Sequence, residues 1–176
     1  MSTHANICVE ILPGDRGTAI RPNIALLGKP VGKLNTRTFA RDGATISLDE
    51  ISKIPATKLN GKFACIYHHW DGYPEALGKT LLNEYNTYAK ALNLITLGDI
   101  STINEEKIYP YFLRTGSYDK NESMLARVVD DEAALDETGI VYLFRNGEWF
   151  YSDSKTLNFV PLTEKLNEKK ETDERD

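Results

Sequence analysis

The chain has 176 residues, a formal net charge of −5 and a hydrophobic fraction of 41%, of which aromatic residues make up 10% of the chain. That length suits one domain with a sizeable core and is short for two, while the apolar content is too high for a disordered chain. No apolar run approaches the roughly 20 residues of a membrane-spanning helix, and the acidic balance argues against a nucleic-acid surface, which needs clustered Lys and Arg.

The first residues, Met1-Ser2-Thr3-His4-Ala5-Asn6, lack the basic region and apolar core of a secretory signal, so a cytoplasmic location is expected. Ile7, Val9 and Ile11 alternate within Ala5 to Leu12 and predict a first strand. Pro13-Gly14-Asp15-Arg16-Gly17 reads as a turn. Residues 13–60 are rich in Pro and Gly and poor in large apolar side chains, and read as a peripheral insertion. Within it, Asn23 to Leu27 and Ala44 to Leu48 are candidate extended pieces. Leu59-Asn60-Gly61-Lys62 predicts a hairpin turn into a second strand, Phe63 to Tyr67, because Asn-Gly supplies the positive φ angles of tight turns. Cys8 and Cys65 lie in apolar runs and read as reduced, buried strand residues; no CxxC pair is present.

After Pro74 the apolar period becomes helical, through Leu77, Leu81, Leu82, Tyr85 and Tyr88, with a second helical piece from Asn93 to Leu97 ended by Gly98. Asp99 to Ile103 reads as a loop. Tyr109, Tyr111, Phe112 and Tyr118, around Pro110 and Arg114, read as aromatic cover over the sheet or a partner surface. Leu125 to Val129 predicts a strand and Asp130-Asp131-Glu132 a short helix start. The clearest hairpin follows, Ile140 to Phe144 and Trp149 to Tyr151 about Asn146-Gly147. Residues 161–176, with six acids and four bases, read as a charged tail that frays or stays disordered. This order predicts a single α+β domain over 1–160, a mainly antiparallel sheet with helices packed on one face.

The run Tyr67-His68-His69-Trp70-Asp71-Gly72-Tyr73-Pro74-Glu75 carries the densest chemistry of the chain, at a strand-to-helix junction. It resembles a family of small uncharacterised phage and bacterial proteins. Members begin Met-(Ser/Ala)-Thr-Arg and continue (Cys/Arg)-His-Trp-Asp-Gly-Tyr-Pro-Glu, with a Gly three residues on, matched here by Gly78. The pattern continues in Leu81-Leu82-Asn83-Glu84-Tyr85, Leu97-Gly98-Asp99-Ile100-Ser101, Tyr142-Leu143-Phe144 and Gly147-Glu148-Trp149. The resemblance implies a phage or mobile-element lineage and a site, but no reaction. His68 and His4 depart from the family pattern, as does the long segment 13–60, where members have a short hairpin.

A turn alone explains part of this run. Asp71 would accept backbone N–H bonds at the helix start, Gly72 would take the unusual backbone angle, and Pro74 would occupy the first helical position. It explains His69 and Trp70 less well, since a turn needs neither imidazole nor indole. His68 and His69 point to opposite faces of a strand and cannot share one ion, and no known metal spacing is present; a convergence of His69, Asp71, Glu75 and His4 is a weaker possibility, so no metal and no cofactor is expected. A free amine on Ser2 would suit an N-terminal nucleophile, on a weak signal. The residues therefore nominate His69, Trp70, Asp71, Tyr73, Glu75 and His68 as contacts for a host protein or a small ligand. The alternatives are a small hydrolase with His69 as general base oriented by Asp71 or Glu75, and a structural virion component.

Overall fold

The computed structural model describes residues 3–22, 38–41, 44–47, 55–103, 108–111, 125–135, 139–153 and 157–175. Its main sheet has eight strands. β1 (Ala5–Glu10) lies between β10 (Val141–Arg145) and β6 (Phe63–His68). Beyond β10 come β11 (Glu148–Ser152) and the short β12 (Val160–Pro161). Beyond β6 come β7 (Ile100–Ile103) and β8 (Ile108–Pro110), while β9 (Arg127–Val129) pairs with the first half of β6. Two small ribbons lie apart from it, β2 (Ala19–Ile20) with β5 (Thr57–Lys58), and β3 (Thr38–Arg41) with β4 (Ala44–Ser47).

The fold is of the α+β kind, and most pairings of the main sheet are antiparallel as expected, but the sheet is mixed. β1 runs parallel to β10, and β6 runs parallel to β7. The second case follows from the helical segment after β6, which carries the chain back along the sheet before β7 begins, so the next strand leaves in the same direction. The loop expected at 99–103 is that strand.

Side chains alternate across the strands, and both faces are covered. Ala5, Ile7 and Val9 of β1, Ala64 and Ile66 of β6, and Tyr142 and Phe144 of β10 belong to one buried cluster that also holds Leu77, Leu81, Ala91, Leu94, Ile95 and Leu162 from the helices. Cys8, Cys65, Phe63, Val141 and Leu143 form a second cluster with Leu135. Burial on both faces explains why β6 and β10 read as nearly unbroken apolar runs. Cys8 and Cys65 are register partners across β1 and β6, buried and not disulfide-bonded.

Local chemistry sets the element ends. Asn146 and Gly147 take φ angles of 52° and 81°, the left-handed pair that a two-residue hairpin needs. Asn60-Gly61 does not make the second hairpin. β5 pairs with β2, and Gly61 instead allows a close approach: a Cβ there would lie 2.7 Å from Cγ1 of Val128. Leu59 is buried, its N–H bonded to the Thr18 carbonyl at 2.8 Å and its carbonyl to the Gly17 N–H at 2.9 Å. The last residues of the 13–60 segment are thus stitched into the core; the expected piece at Asn23 to Leu27 lies outside the described residues.

The helical stretch is divided where the sequence reading ran it through Tyr88. A wide π-type turn, Pro74–Gly78, leads into α1 (Lys79–Glu84), and α2 (Tyr88–Ile95) starts afresh. The Thr87 side chain caps α2 by accepting from Lys90 N–H at 3.2 Å, and the Trp149 indole donates to the Tyr85 carbonyl at 2.8 Å, satisfying the broken end. The segment read as a charged tail forms α3 (Leu162–Arg175), anchored by fully buried Leu162 with Leu166 packed beside it. Two leucines among many charges are too few for a period to show, yet they suffice to dock the first turns. Among the described residues, no helix is long and apolar enough to cross a membrane.

Candidate functional site

The chain leaves β6 at His68 and crosses to Pro74 in a turn pinned from three sides. The N–H groups of His69 and Trp70 donate to the carbonyls of Ile100 and Ser101 on β7, at 3.1 and 3.0 Å. Gly72 N–H donates to the Thr3 carbonyl at 2.8 Å, ahead of β1. The Tyr142 hydroxyl, rising from β10, donates to the Gly72 carbonyl at 2.7 Å.

Asp71, not Gly72, takes the unusual backbone angle. Asp71 takes the left-handed angle, φ 57°, while Gly72 is small because a Cβ would lie 2.8 Å from the Thr3 carbonyl oxygen and 3.0 Å from Ala5 Cβ. Nor is Asp71 the helix cap. The residue flanking the π-type turn is Tyr73, and no side chain caps it; Pro74 sits at the first position as expected.

The six nominated residues separate into distinct environments. His68 is fully buried, and among the described residues neither of its ring nitrogens has a hydrogen-bond partner. Burial first, then the neighbouring His69 and His4, lowers its pKa from 6.5 to about 3, so the ring is neutral. It belongs to the interior rather than to the surface of the motif.

His69 is half-buried, grouped with half-buried His4 and Tyr67 and the exposed Trp70. His4 Nδ1–H donates to the His69 carbonyl at 2.8 Å, and the two imidazoles lie 4.5 Å apart between centroids. The Tyr67 hydroxyl meets His69 Nδ1 at 2.8 Å. Burial, with Tyr111 and Asp99 nearby, raises the Tyr67 pKa, so the phenol stays protonated. Trp70 meets the His69 ring edge-on at 4.7 Å and remains 47% exposed. Asp99 fixes the base of the group, its carboxylate accepting from Tyr67 N–H at 2.9 Å. Tyr67 was legible as part of this group, since period-two alternation puts it on the side of the strand opposite His68. Tyr111 lies nearby, whereas Phe112, Arg114 and Tyr118 fall outside the described residues, as does Ser2.

Tyr73 and Glu75 face elsewhere. With Pro74 they line a cleft of about 380 Å³ completed by Tyr151 and Asp153 of the last hairpin and by Lys165 and Glu168 of α3. The Lys165 ammonium sits over the Tyr151 ring, 5.6 Å from its centroid. Burial, with Asp153 and Glu75 adding negative charge, pushes the Tyr151 phenol up to about 12. None of Tyr151, Asp153, Lys165 and Glu168 carries a sequence signal, because the β11 pleat and the docking of α3 bring them to the turn. Among the described residues, no three His, Cys, Asp or Glu side chains are grouped to hold a metal ion.

Comparison of the chain with protein-family models, with curated proteins and with solved structures finds no match.

Proposed function

We propose that this chain is a phage or mobile-element accessory protein that binds a host protein in the cytoplasm through the His69–Glu75 turn. The observation that carries this reading is the exposure of Trp70 at 47% and Tyr73 at 41% on one pinned turn, two of the three large hydrophobic side chains left exposed among the described residues. Exposed aromatics on a backbone already fixed lose little freedom on binding, which is the condition for interface anchors. The resemblance to small phage and bacterial proteins supports the lineage.

A binding role is favoured over a hydrolase with His69 as base by the exposed Trp70 and Tyr73, which a general base does not need. A structural virion role would draw on the same turn only as scaffold, and the exposed Trp70 weighs against it.

The test is capture of partners from a host extract, followed by titration of the purified partner. Trp70→Ala should weaken binding by about 30-fold or more, the scale of an interface hot spot, with an unchanged urea midpoint. Equal affinity in wild type and variant would remove the turn from the interface.

A further inference from the structure

The two cysteines of the chain are register partners on the central strands β1 and β6, and the hydrogen-bond pattern fixes how closely they approach. Directly opposite residues of an antiparallel pair alternate between those that exchange N–H···O bonds and those that do not. The register that sets Cys8 opposite Cys65 and Glu10 opposite Phe63 continues to Ile11 and Lys62, where the Ile11 N–H donates to the Lys62 carbonyl at 2.8 Å. Alternation back from that bonded pair makes Cys8 and Cys65 a non-bonded one. The outward bonds agree: Asn6 N–H donates to Ile140, on the β10 side, and Tyr67 N–H donates to Asp99, away from β1, each at 2.9 Å. In a non-bonded pair the Cα atoms lie about 4.5 Å apart with their side chains closest. That is inside the span of about 4.4–6.8 Å that a disulfide bridges, at its short end.

We propose that Cys8 and Cys65 are a dithiol that a hydroperoxide converts to a reversible cross-strand disulfide. Both sulfurs are buried in the cluster with Phe63, Leu135, Val141 and Leu143, while the three helices place their buried residues in the opposite cluster. Cover on the cysteine face comes from the single turn Glu132–Leu135 and from partly buried Val129, Phe150, Leu157 and Phe159. Short cover of this kind opens locally at less cost than a core strand, and hydrogen peroxide is little larger than water. One thiolate attacks a peroxide oxygen; the O–O bond breaks, and the leaving hydroxide takes up a proton to become water. The second thiolate attacks the sulfenic sulfur, the S–O bond breaks, and a second water leaves. The two thiols thus give up two electrons and two protons, and the peroxide becomes two waters. A bridge at the short end of the allowed span is strained and readily reduced, so a dithiol reductant returns both thiols. The inference is independent of the reading of the turn.

The test treats the full chain, reduced and freed of reductant, with hydrogen peroxide in the absence of denaturant. Both thiols should be lost together, the intact mass should fall by two hydrogens, and proteolysis should release one linked peptide pair holding Cys8 and Cys65. Dithiothreitol should restore both thiols without unfolding the chain. In Cys8→Ala the sulfenic acid on Cys65 has no thiol to meet, so dimedone added with denaturant should label the variant and leave wild type unlabelled. Should that variant fail to fold, Cys65→Ala serves the reverse comparison. Thiols that persist in the folded chain, a bridge between two chains, a bridge formed only in urea, or equal dimedone labelling of wild type and variant would each overturn the proposal.

Discussion

The Tyr142 hydroxyl donates to the Gly72 carbonyl across 2.7 Å, and this single bond fastens the site turn to the middle of the sheet. Tyr142 is fully buried, and burial, with Tyr151 and Glu75 nearby, raises its pKa well above the usual tyrosine value. The phenol therefore stays protonated and donates at neutral pH.

Tyr142→Phe should keep the ring in place while leaving a buried carbonyl without its donor. A loss of about 1–3 kcal/mol is expected, read as a lower urea midpoint at constant slope. A variant as stable as wild type would mean that the Gly72 carbonyl finds another partner.

At the neighbouring positions the two backbone roles predict opposite outcomes. Gly72→Ala should destabilise by about 1–3 kcal/mol, since its methyl group would overlap the Thr3 carbonyl and Ala5. Asp71→Gly should not destabilise, because the left-handed angle at Asp71 suits glycine better. Thermal melts of both variants decide between this account and one in which Asp71 caps the helix.

His68 should make the protein sensitive to acid. Its pKa is 6.5 when unfolded and about 3 when folded, so as pH falls through that window the unfolded chain takes up a proton that the folded chain refuses. Stability then falls by up to about 1.4 kcal/mol per pH unit below 6.5 from this group, and the group contributes no pH dependence above it. Urea unfolding of His68→Leu beside wild type, from pH 7.5 to 4, should show a difference that shifts progressively in the variant's favour with acid. Parallel curves would show that His68 is charged in the fold or does not titrate in this range.

Trp149→Phe should cost about 2–4 kcal/mol, because it removes the donor to the Tyr85 carbonyl and opens space in the main core. Amide hydrogen exchange at Asn86 to Tyr88 should speed up more than exchange in β1. Uniform acceleration would show that the indole supports the whole core rather than the break between α1 and α2.

The sequence made the strands legible where their own residues decide the structure. Ile7 and Val9, Phe63 to Ile66, and the hairpin about Asn146-Gly147 carry alternation or turn chemistry that no tertiary contact needs to supply. What it concealed depends on partners far along the chain. The parallel pairing of Asn6 with Val141 leaves no local mark. The break at Tyr85 is set partly by Trp149, and the anchoring of α3 rests on Leu162 meeting a core built elsewhere. At the site, His69 and Trp70 stand out because a turn does not need them; Trp70 lies exposed and His69 half-buried beside it. His68 was nominated by adjacency, although the alternation of a strand assigns it to the interior. The cleft was invisible, since only Glu75, Pro74 and Tyr73 of its lining belong to the motif.

The place of β1 in the sheet bears on how the chain is made. On the ribosome, Ala5–Glu10 emerges early, yet the strands that flank it, Phe63–His68 and Val141–Arg145, arrive much later and at different times. The edge facing β6 can close while synthesis continues, but the edge meant for β10 stays open until Val141–Arg145 has emerged. During that interval an apolar strand presents unpaired amide and carbonyl groups, the template on which nascent chains associate wrongly. Slow completion and dependence on chaperone holding are the expected cost of this topology. A pulse-labelled chain released after residue 130 should accordingly aggregate, whereas one released after residue 153 should not.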